Sequence, residues 1–493
     1  MLFSKLSELR AASAPDAPCI DDAATRLSNS EFHSRVLAAA GVFADLGVRA
    51  GDVIAIMLPN QVEFVVAMFA AWRLGATVTP VKPTLTSKEA THQIIDSGAV
   101  LVINGTGEVA LPDVRSLPVA ALMRGERHVG APFDDPAALA LLIYTSGTTG
   151  LPKGVMLDHA NVEAMSEMGC HSLDVTAADH CMLVLPLFHV NAILVSTLMP
   201  LSVGGRVTIR ERFDVDTFFD DVEQLRPTYF SGVPTIYALL NALPGHVKPD
   251  TSSLRYGICG AAPASMELLK GFEARYGFPL VEGYGLSEGT CGSTINPFDG
   301  LRKAGTVGLP FDGQRIAIAD PHGMHLPQGA TGEVLIKGPN VMRGYLGKPE
   351  ETAKTIVDGW LRTGDIGRID EDGYLSIVGR LKEMIIRGGE NIYPKEIEDV
   401  LSEFPDVLEA AVIGAPHETL GEIVIAYVAY RPGFTGDASL LHEHCAGRLT
   451  RYKRPATINV IASLPKNAVG KIDKLKLRDM WRSGNPCTPS SSA

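Results

Sequence analysis

Residues Tyr144-Thr145-Ser146-Gly147-Thr148-Thr149-Gly150-Leu151-Pro152-Lys153-Gly154-Val155 have the composition of a polyphosphate cradle. Glycines let backbone N–H groups approach phosphate oxygens, the threonines and serine add hydroxyl donors, and Lys153 adds a point positive charge. An apolar run, 138–144, precedes the string and Val155-Met156-Leu157 follows it, so the loop projects from between two strands. The spacing is not that of the strand–helix P-loop, which has four residues between its glycines and then Gly-Lys-Ser/Thr. A flexible hairpin tip is the alternative, and a bare Gly-Thr-Thr-Gly would say no more than that.

Other stretches carry chemistry more locally. Tyr284-Gly285-Leu286-Ser287-Glu288 offers an aromatic plate that can stack on a purine, a hydroxyl, and a carboxylate suited to Mg²⁺, which takes few carboxylates together with phosphate oxygens. Taken alone, it reads more readily as a core tyrosine beside a surface glutamate. Asp365 follows a tight turn in Trp360-Leu361-Arg362-Thr363-Gly364-Asp365, where a turn aspartate is the plain reading. His189, in Leu185-Pro186-Leu187-Phe188-His189-Val190, reads first as a satisfied core histidine. The lysines between 466 and 476 read first as a solvated face, and so do Arg448, Arg451, Lys453 and Arg454, with the phosphates of a ligand or an anionic membrane surface as the alternative for the latter.

These residues need a frame. Ser28-Asn29-Ser30-Glu31 and Thr86-Ser87-Lys88-Glu89 read as capping boxes that open helices, and 62–74 reads as a helix closed by Gly75. Strands are expected at 53–58, 78–81 and 100–103, then at 182–185, 207–209, 228–231, 254–259 and 279–284, with helices at 215–225 and 264–276. Such alternation predicts an α/β fold with parallel or mixed sheets, helices on both faces, and ligands at strand C-termini. Two such ends stand out, Gly260-Ala261-Ala262-Pro263 and Glu282-Gly283-Tyr284. Beyond about 303, short strands at 315–319, 333–337, 360–362 and 374–378 predict a β-rich subdomain. After Gly379-Arg380-Leu381-Lys382, elements at 394–403, 407–413, 423–430 and 440–450 predict a small α+β domain. The expected organisation is therefore 1–381 with a β-rich part at about 303–381, then 382–482, then a Ser/Pro-rich disordered tail at 483–493.

Composition bounds the possibilities. The 493 residues are 46% hydrophobic and 20% charged, too long a chain for one core, and the net charge of -12 argues against nucleic acid. Seven cysteines, scattered singly, suggest neither disulfides nor zinc and fit a reducing cytoplasm. The first residues lack a basic patch followed by a long apolar core, and the apolar stretch 62–71 runs straight into Trp72-Arg73, so neither a signal peptide nor an integral membrane span is expected.

Taken together, these motifs resemble the adenylate-forming superfamily of acyl-CoA synthetases, luciferases and nonribosomal peptide adenylation domains, in that family's order and over nearly the whole chain. The resemblance implies a phosphate loop at Thr145, Ser146, Gly147, Thr148, Thr149, Gly150 and Lys153, and nucleotide contacts at Gly260, Ala261, Ala262, Glu282, Gly283, Tyr284 and Gly285. It implies Tyr284 on adenine, the Ser287 hydroxyl (commonly Thr) on the α-phosphate, Glu288 on Mg²⁺, Asp365 on both ribose hydroxyls and Arg380 on ribose or phosphate. Lys471, in Pro465-Lys466-Asn467-Ala468-Val469-Gly470-Lys471, matches the lysine that bridges carboxylate and α-phosphate, and Lys382 matches the hinge about which a mobile C-terminal domain rotates. Gly388 and Gly389 fall in the loop of the pantetheine tunnel, with Arg387 where Ser is common.

By the same resemblance, His189 lies beside the acyl site, with Val233, Gly260 and Gly283 as further substrate contacts. Gly283 stands where malonate-specific relatives carry Arg, and the segments 232–237 and 259–263 are small or apolar. A dicarboxylate would lack a charge partner there. The reading is an acyl-CoA synthetase using ATP, Mg²⁺ and coenzyme A on an apolar acid, a medium- or long-chain fatty acid ahead of an aryl acid. Peripheral membrane contact is compatible with it. The alternatives are an enzyme that loads a carrier protein and a nucleotide-binding module without catalysis.

Overall fold

The computed structural model describes residues 2–105, 111, 113–145, 152–262, 264–431, 433–434, 436–466 and 472–484. The expected disordered tail therefore lies, from 485 onward, outside the described residues. Contact density divides the chain into one unit of 1–264, 268–316 and 335–362 and another of 265–267, 317–334 and 363–493.

The first unit holds two large sheets. One runs in the order Gly344–Tyr345, Lys153–Asp158, Leu139–Thr145, Thr77–Pro80, Val53–Met57, Ala99–Asn104, Arg115–Pro118. Its last five strands are parallel, whereas Lys153–Asp158 lies antiparallel to Leu139–Thr145, as a hairpin around the phosphate-loop string requires. The nine-stranded sheet has a parallel interior, Leu280–Tyr284, Tyr256–Cys259, Tyr229–Gly232, His180–Leu183, Arg206–Ile209 and Pro18–Asp21, with antiparallel strands at both edges.

Interior strands of such sheets are covered on both faces, which is why they read as continuous apolar runs. The helix Val62–Arg73 follows the same logic: all its residues but Glu63 are buried. Its Trp72 indole donates to the Ala140 carbonyl at 2.9 Å, and Phe69 packs edge-on to Phe32 with centroids 5.3 Å apart. Both expected capping boxes are present and reciprocal, at Ser28/Glu31 and Thr86/Glu89. Among the described residues no helix is long and apolar enough to cross a membrane.

A five-stranded sheet is built from Arg315–Ala319, Thr331–Lys337, Ile356–Val357, Trp360–Ile369 and Leu375–Arg380. Within the second unit, the long strands Val407–His417 and Gly421–Tyr430 pair antiparallel, with Thr457–Val460 parallel beside the latter. Side chains alternate along them, so Val412, Val424, Ala426 and Val428 join one core with Ile397, Leu401 and Leu441. Ala411, Ile413, Ile425 and Tyr427 join the opposite core with Leu477 of the helix Lys474–Arg482. Both faces are thus covered, the helix Lys474–Arg482 contributing its buried Leu477 to the second core.

Candidate active site

In the nine-stranded sheet the parallel register sets the chemically interesting strand ends side by side: Gly232 opposite Cys259, and Cys259 opposite Glu282. The Gly260 N–H donates to the Gly232 carbonyl at 3.2 Å, drawing Val233, Gly260 and Gly283 into one neighbourhood. Ala261 and Ala262 are exposed, and Ala261 sits at φ +67°, a left-handed conformation that costs a non-glycine residue about 1–2 kcal/mol. Glu282 is buried, and its carboxylate accepts the Ala264 N–H at 3.0 Å, fastening the loop that carries Ala261 and Ala262.

After Tyr284 the chain reverses within a few residues. A β-carbon on Gly285 would stand 1.8 Å from the Cys291 carbonyl oxygen, so no other residue fits. Thr290 and Cys291 both take positive φ, 52° and 92°, to complete the reversal, and Ser293 N–H closes it on the Tyr284 carbonyl at 2.8 Å. Between them Ser287–Gly289 forms one 3₁₀ turn that presents Ser287 and Glu288, both half-buried. The turn is held from outside: Asn340 donates to the Gly289 carbonyl at 2.8 Å, and Met342 N–H to the Glu288 carbonyl at 2.9 Å.

The Glu288 carboxylate accepts the Tyr345 phenol at 2.9 Å. Tyr345 pairs with Val155 at the edge of the seven-stranded sheet, and Lys153 Nζ lies over its ring, 5.3 Å from the centroid. The Lys153 ammonium also pairs with Glu351. Burial, with the Glu288 carboxylate adding to it, pushes the Tyr345 phenol up, so it stays a neutral donor; the Lys153 hydrogen bond holds Glu351 below the usual carboxylate range. Tyr345 thus joins Lys153 to the Glu288 carboxylate. Sequence reasoning missed it, and Glu351 and Asn340 with it, because their partners lie far along the chain.

Thr145 stands opposite Lys153 in the hairpin, and Tyr144 donates to Asp96 at 2.7 Å. Ser146, Gly147, Thr148, Thr149, Gly150 and Lys471 lie outside the described residues. His189 immediately precedes the short helix Val190–Ile193, its ring 4.4 Å from that of Phe188. Val233 precedes the helix Pro234–Asn241, and the fully buried Ser231 donates to Asn191 at 2.9 Å.

In the second unit Asp365 is only 3% exposed and lies opposite Arg380 across a strand pair, Oδ1 2.8 Å from its Nε. Gly364 at φ +70° turns the chain into this position, its N–H bonded to Glu333 at 3.0 Å. Lys382 is exposed in the 3₁₀ turn Leu381–Glu383. Gly388 and Gly389, at φ +58° and +89°, form the two-residue turn of the hairpin Ile385–Arg387 to Glu390–Ile392. No atom lies within 4 Å of a β-carbon built on Gly389, so conformation and not crowding calls for glycine there.

The pattern of the family described as AMP-binding enzyme matches residues 7–346. The chain belongs to that family. The AMP-binding enzyme C-terminal domain matches 396–471 as well, which places the chain in the adenylate-forming superfamily that its motifs resemble. This AMP-binding enzyme is 37% identical over 478 residues to a feruloyl-CoA synthase of Amycolatopsis sp, covering 95% of this chain and 97% of the relative. It is 34% identical to the long-chain-fatty-acid–CoA ligase FadD13 of Mycobacterium tuberculosis, covering 94% of each. Among solved structures, ATP-bound MatB from Rhodopseudomonas palustris superposes with a TM-score of 0.91 at 32% identity, over 98% of this chain and 99% of that one.

The Gly285 contact yields a direct prediction. Gly285→Ala is expected to destabilise the first unit by about 1–3 kcal/mol, because the added methyl forces the Cys291 carbonyl aside. Chemical denaturation of the full chain measures it, and an unchanged midpoint would contradict the packing of the 285–291 reversal.

Proposed function

We propose that this AMP-binding enzyme is an AMP-forming acid–thiol ligase that converts an apolar carboxylic acid to its CoA thioester with ATP. The observation that carries the reading is the Lys153–Tyr345–Glu288 arrangement, which sets the phosphate-loop lysine and a half-buried carboxylate on one tyrosine. A single protein carboxylate is the kind of ligand Mg²⁺ takes when phosphate oxygens and waters complete its shell, so Glu288 fits that role. When bound there, Mg²⁺ neutralises part of the triphosphate charge.

In the first step a carboxylate oxygen bonds to the α-phosphorus and the α–β anhydride bond breaks, releasing pyrophosphate. The acid is already ionised at neutral pH, so no general base is needed. The difficulty is two anions meeting, and a fixed cation at the developing charge lowers that barrier. We assign that cation to Lys471, with Ser287 and the 145–150 loop on the phosphates, Tyr284 on adenine, and Asp365 with Arg380 on the ribose side. In the second step the CoA sulfur bonds to the acyl carbon and AMP leaves. Gly388 and Gly389 let backbone line the thiol's approach, and Lys382 is the hinge between domains 1–381 and 382–482.

The strand ends support an apolar acid. Val233, Gly260, Ala261, Ala262 and Gly283 bring no cation, and a β-carbon on Gly283 would already lie 3.1 Å from the Thr294 carbonyl. An acid with a second charge would be buried without a partner. We therefore place the substrate among acids with an uncharged apolar body, medium- or long-chain fatty acids first. Aryl acids are the second reading, favoured by the identity to a feruloyl-CoA synthase.

Pyrophosphate release across acetate to palmitate, benzoate, ferulate and malonate, each with and without CoA, tests this. Sustained release with fatty or aryl acids only when CoA is present is expected; turnover of malonate alone would overturn the acid class, and a CoA-independent single burst the thiol acceptor. Lys471→Ala is expected to slow adenylation by about a hundredfold or more while thioester formation from supplied acyl-AMP stays within about threefold. Equal loss in both half-reactions would contradict the role given to Lys471.

A further inference from the structure

Lys474 opens the helix Lys474–Arg482 and turns its ammonium inward, its side chain 17% exposed. It meets two carboxylates, Glu383 Oε2 at 2.7 Å and Glu398 Oε1 at 2.8 Å. Glu383 ends the 3₁₀ turn that contains Lys382, while Glu398 lies within the helix Pro394–Ser402 and also accepts the Val412 N–H at 2.8 Å. One side chain therefore ties three separate segments together. Burial opposes charge on Lys474, but the two carboxylates more than offset it and hold the ammonium above its ordinary range.

Such a cluster is poorly explained by stability alone. Desolvating three charges costs several kcal/mol per ion, and apolar residues of the same volume often hold a fold as well or better. What such a cluster can add is a fixed relative position of the segments it joins.

The chain on either side shows what is fixed. Just before Lys474, Lys466 and Ile472 form an isolated antiparallel bridge, the Asp473 N–H donates to the Pro465 carbonyl at 2.8 Å, and the Asp473 carboxylate caps the helix through the Lys476 N–H at 3.1 Å. The base of the loop that carries Lys471 is thus closed directly against Lys474. On the other side, Arg380 is held opposite Asp365 by register and by an ion pair. Between that clamp and the one at Glu383 lie only Leu381 and Lys382, both exposed.

We propose that Lys474 is a positioning residue whose bonds to Glu383 and Glu398 make the base of the Lys471 loop and the turn after Lys382 move as one body. Any bending at the joint is then confined to Leu381 and Lys382, and each bend carries the loop base with it. The catalytic consequence and the joint at Lys382 rest on the ligase reading above; the tie between the three segments does not.

The full chain with Lys474→Met, and with Lys474→Arg as the conservative variant, tests both. In Lys474→Met, amide hydrogen exchange is expected to rise about tenfold or more at both 381–385 and 472–477, with Val407–His417 and Gly421–Tyr430 unchanged. Adenylation kcat is expected to fall about tenfold or more, with KM for ATP and acid and the thioester half-reaction within about twofold, and Lys474→Arg to restore exchange and kcat. A rise confined to one of the two segments would overturn the coupling. Faster exchange throughout the second unit, with both half-reactions falling together, would reduce Lys474 to a merely structural residue. Coupled exchange in a chain that adenylates no acid would uphold the coupling and sink the ligase reading instead.

Discussion

The backbone at Gly285 passes so close to the Cys291 carbonyl that no β-carbon fits between them. That contact lets a parallel strand end, reverse, and re-enter the sheet as its own antiparallel neighbour, Thr294–Ile295, within a handful of residues. The reversal sets Ser287 and Glu288 at the strand's C-terminal end, where an open α/β sheet keeps its crevice. Its cost is visible in Thr290 and Cys291, two non-glycine residues at positive φ. Asn340 and Met342 brace the turn from a distant part of the chain, so strain at the site is held by long-range hydrogen bonds.

Electrostatics orders the remaining parts. In a protein of net charge -12, three cations are each paired inside their own unit. Lys153 is paired with Glu351 and laid over the Tyr345 ring; Arg380 is paired with the buried Asp365; Lys474 is paired twice. These pairings fix where positive charge stands, and with the Glu351 and Arg380 side chains 41% and 47% exposed, solvent screens the pairs they form.

Local physics made much of this legible in the sequence. The capping boxes at Ser28 and Thr86 need only residues three apart, and both form as expected. Strand 53–58 appears as Val53–Met57 and strand 315–319 as Arg315–Ala319, because apolar runs and turn residues define them from within. The strand expected at 360–362 instead runs Trp360–Ile369, its polar residues Thr363 and Asp365 masking a pairing that only the partner strand Leu375–Arg380 reveals. The Asp158/Asn161 capping box went unread because Asn stands where Glu or Gln is the signal. Tyr345 and Glu351 were invisible for a different reason: their value lies in Glu288 and Lys153, and no spacing rule links residues so far apart. The Asp365–Arg380 pairing was likewise hidden, although the superfamily resemblance had singled out each residue.

In the proposed reaction the acid itself attacks the α-phosphorus. That step is tested most directly with a substrate acid labelled with ¹⁸O in its carboxylate, turned over with ATP and CoA, and mass spectrometry of the products. Transfer of one labelled oxygen into AMP, with none in pyrophosphate, is the predicted result. Label in pyrophosphate or inorganic phosphate, or in no phosphorus-containing product, would contradict the adenylate route.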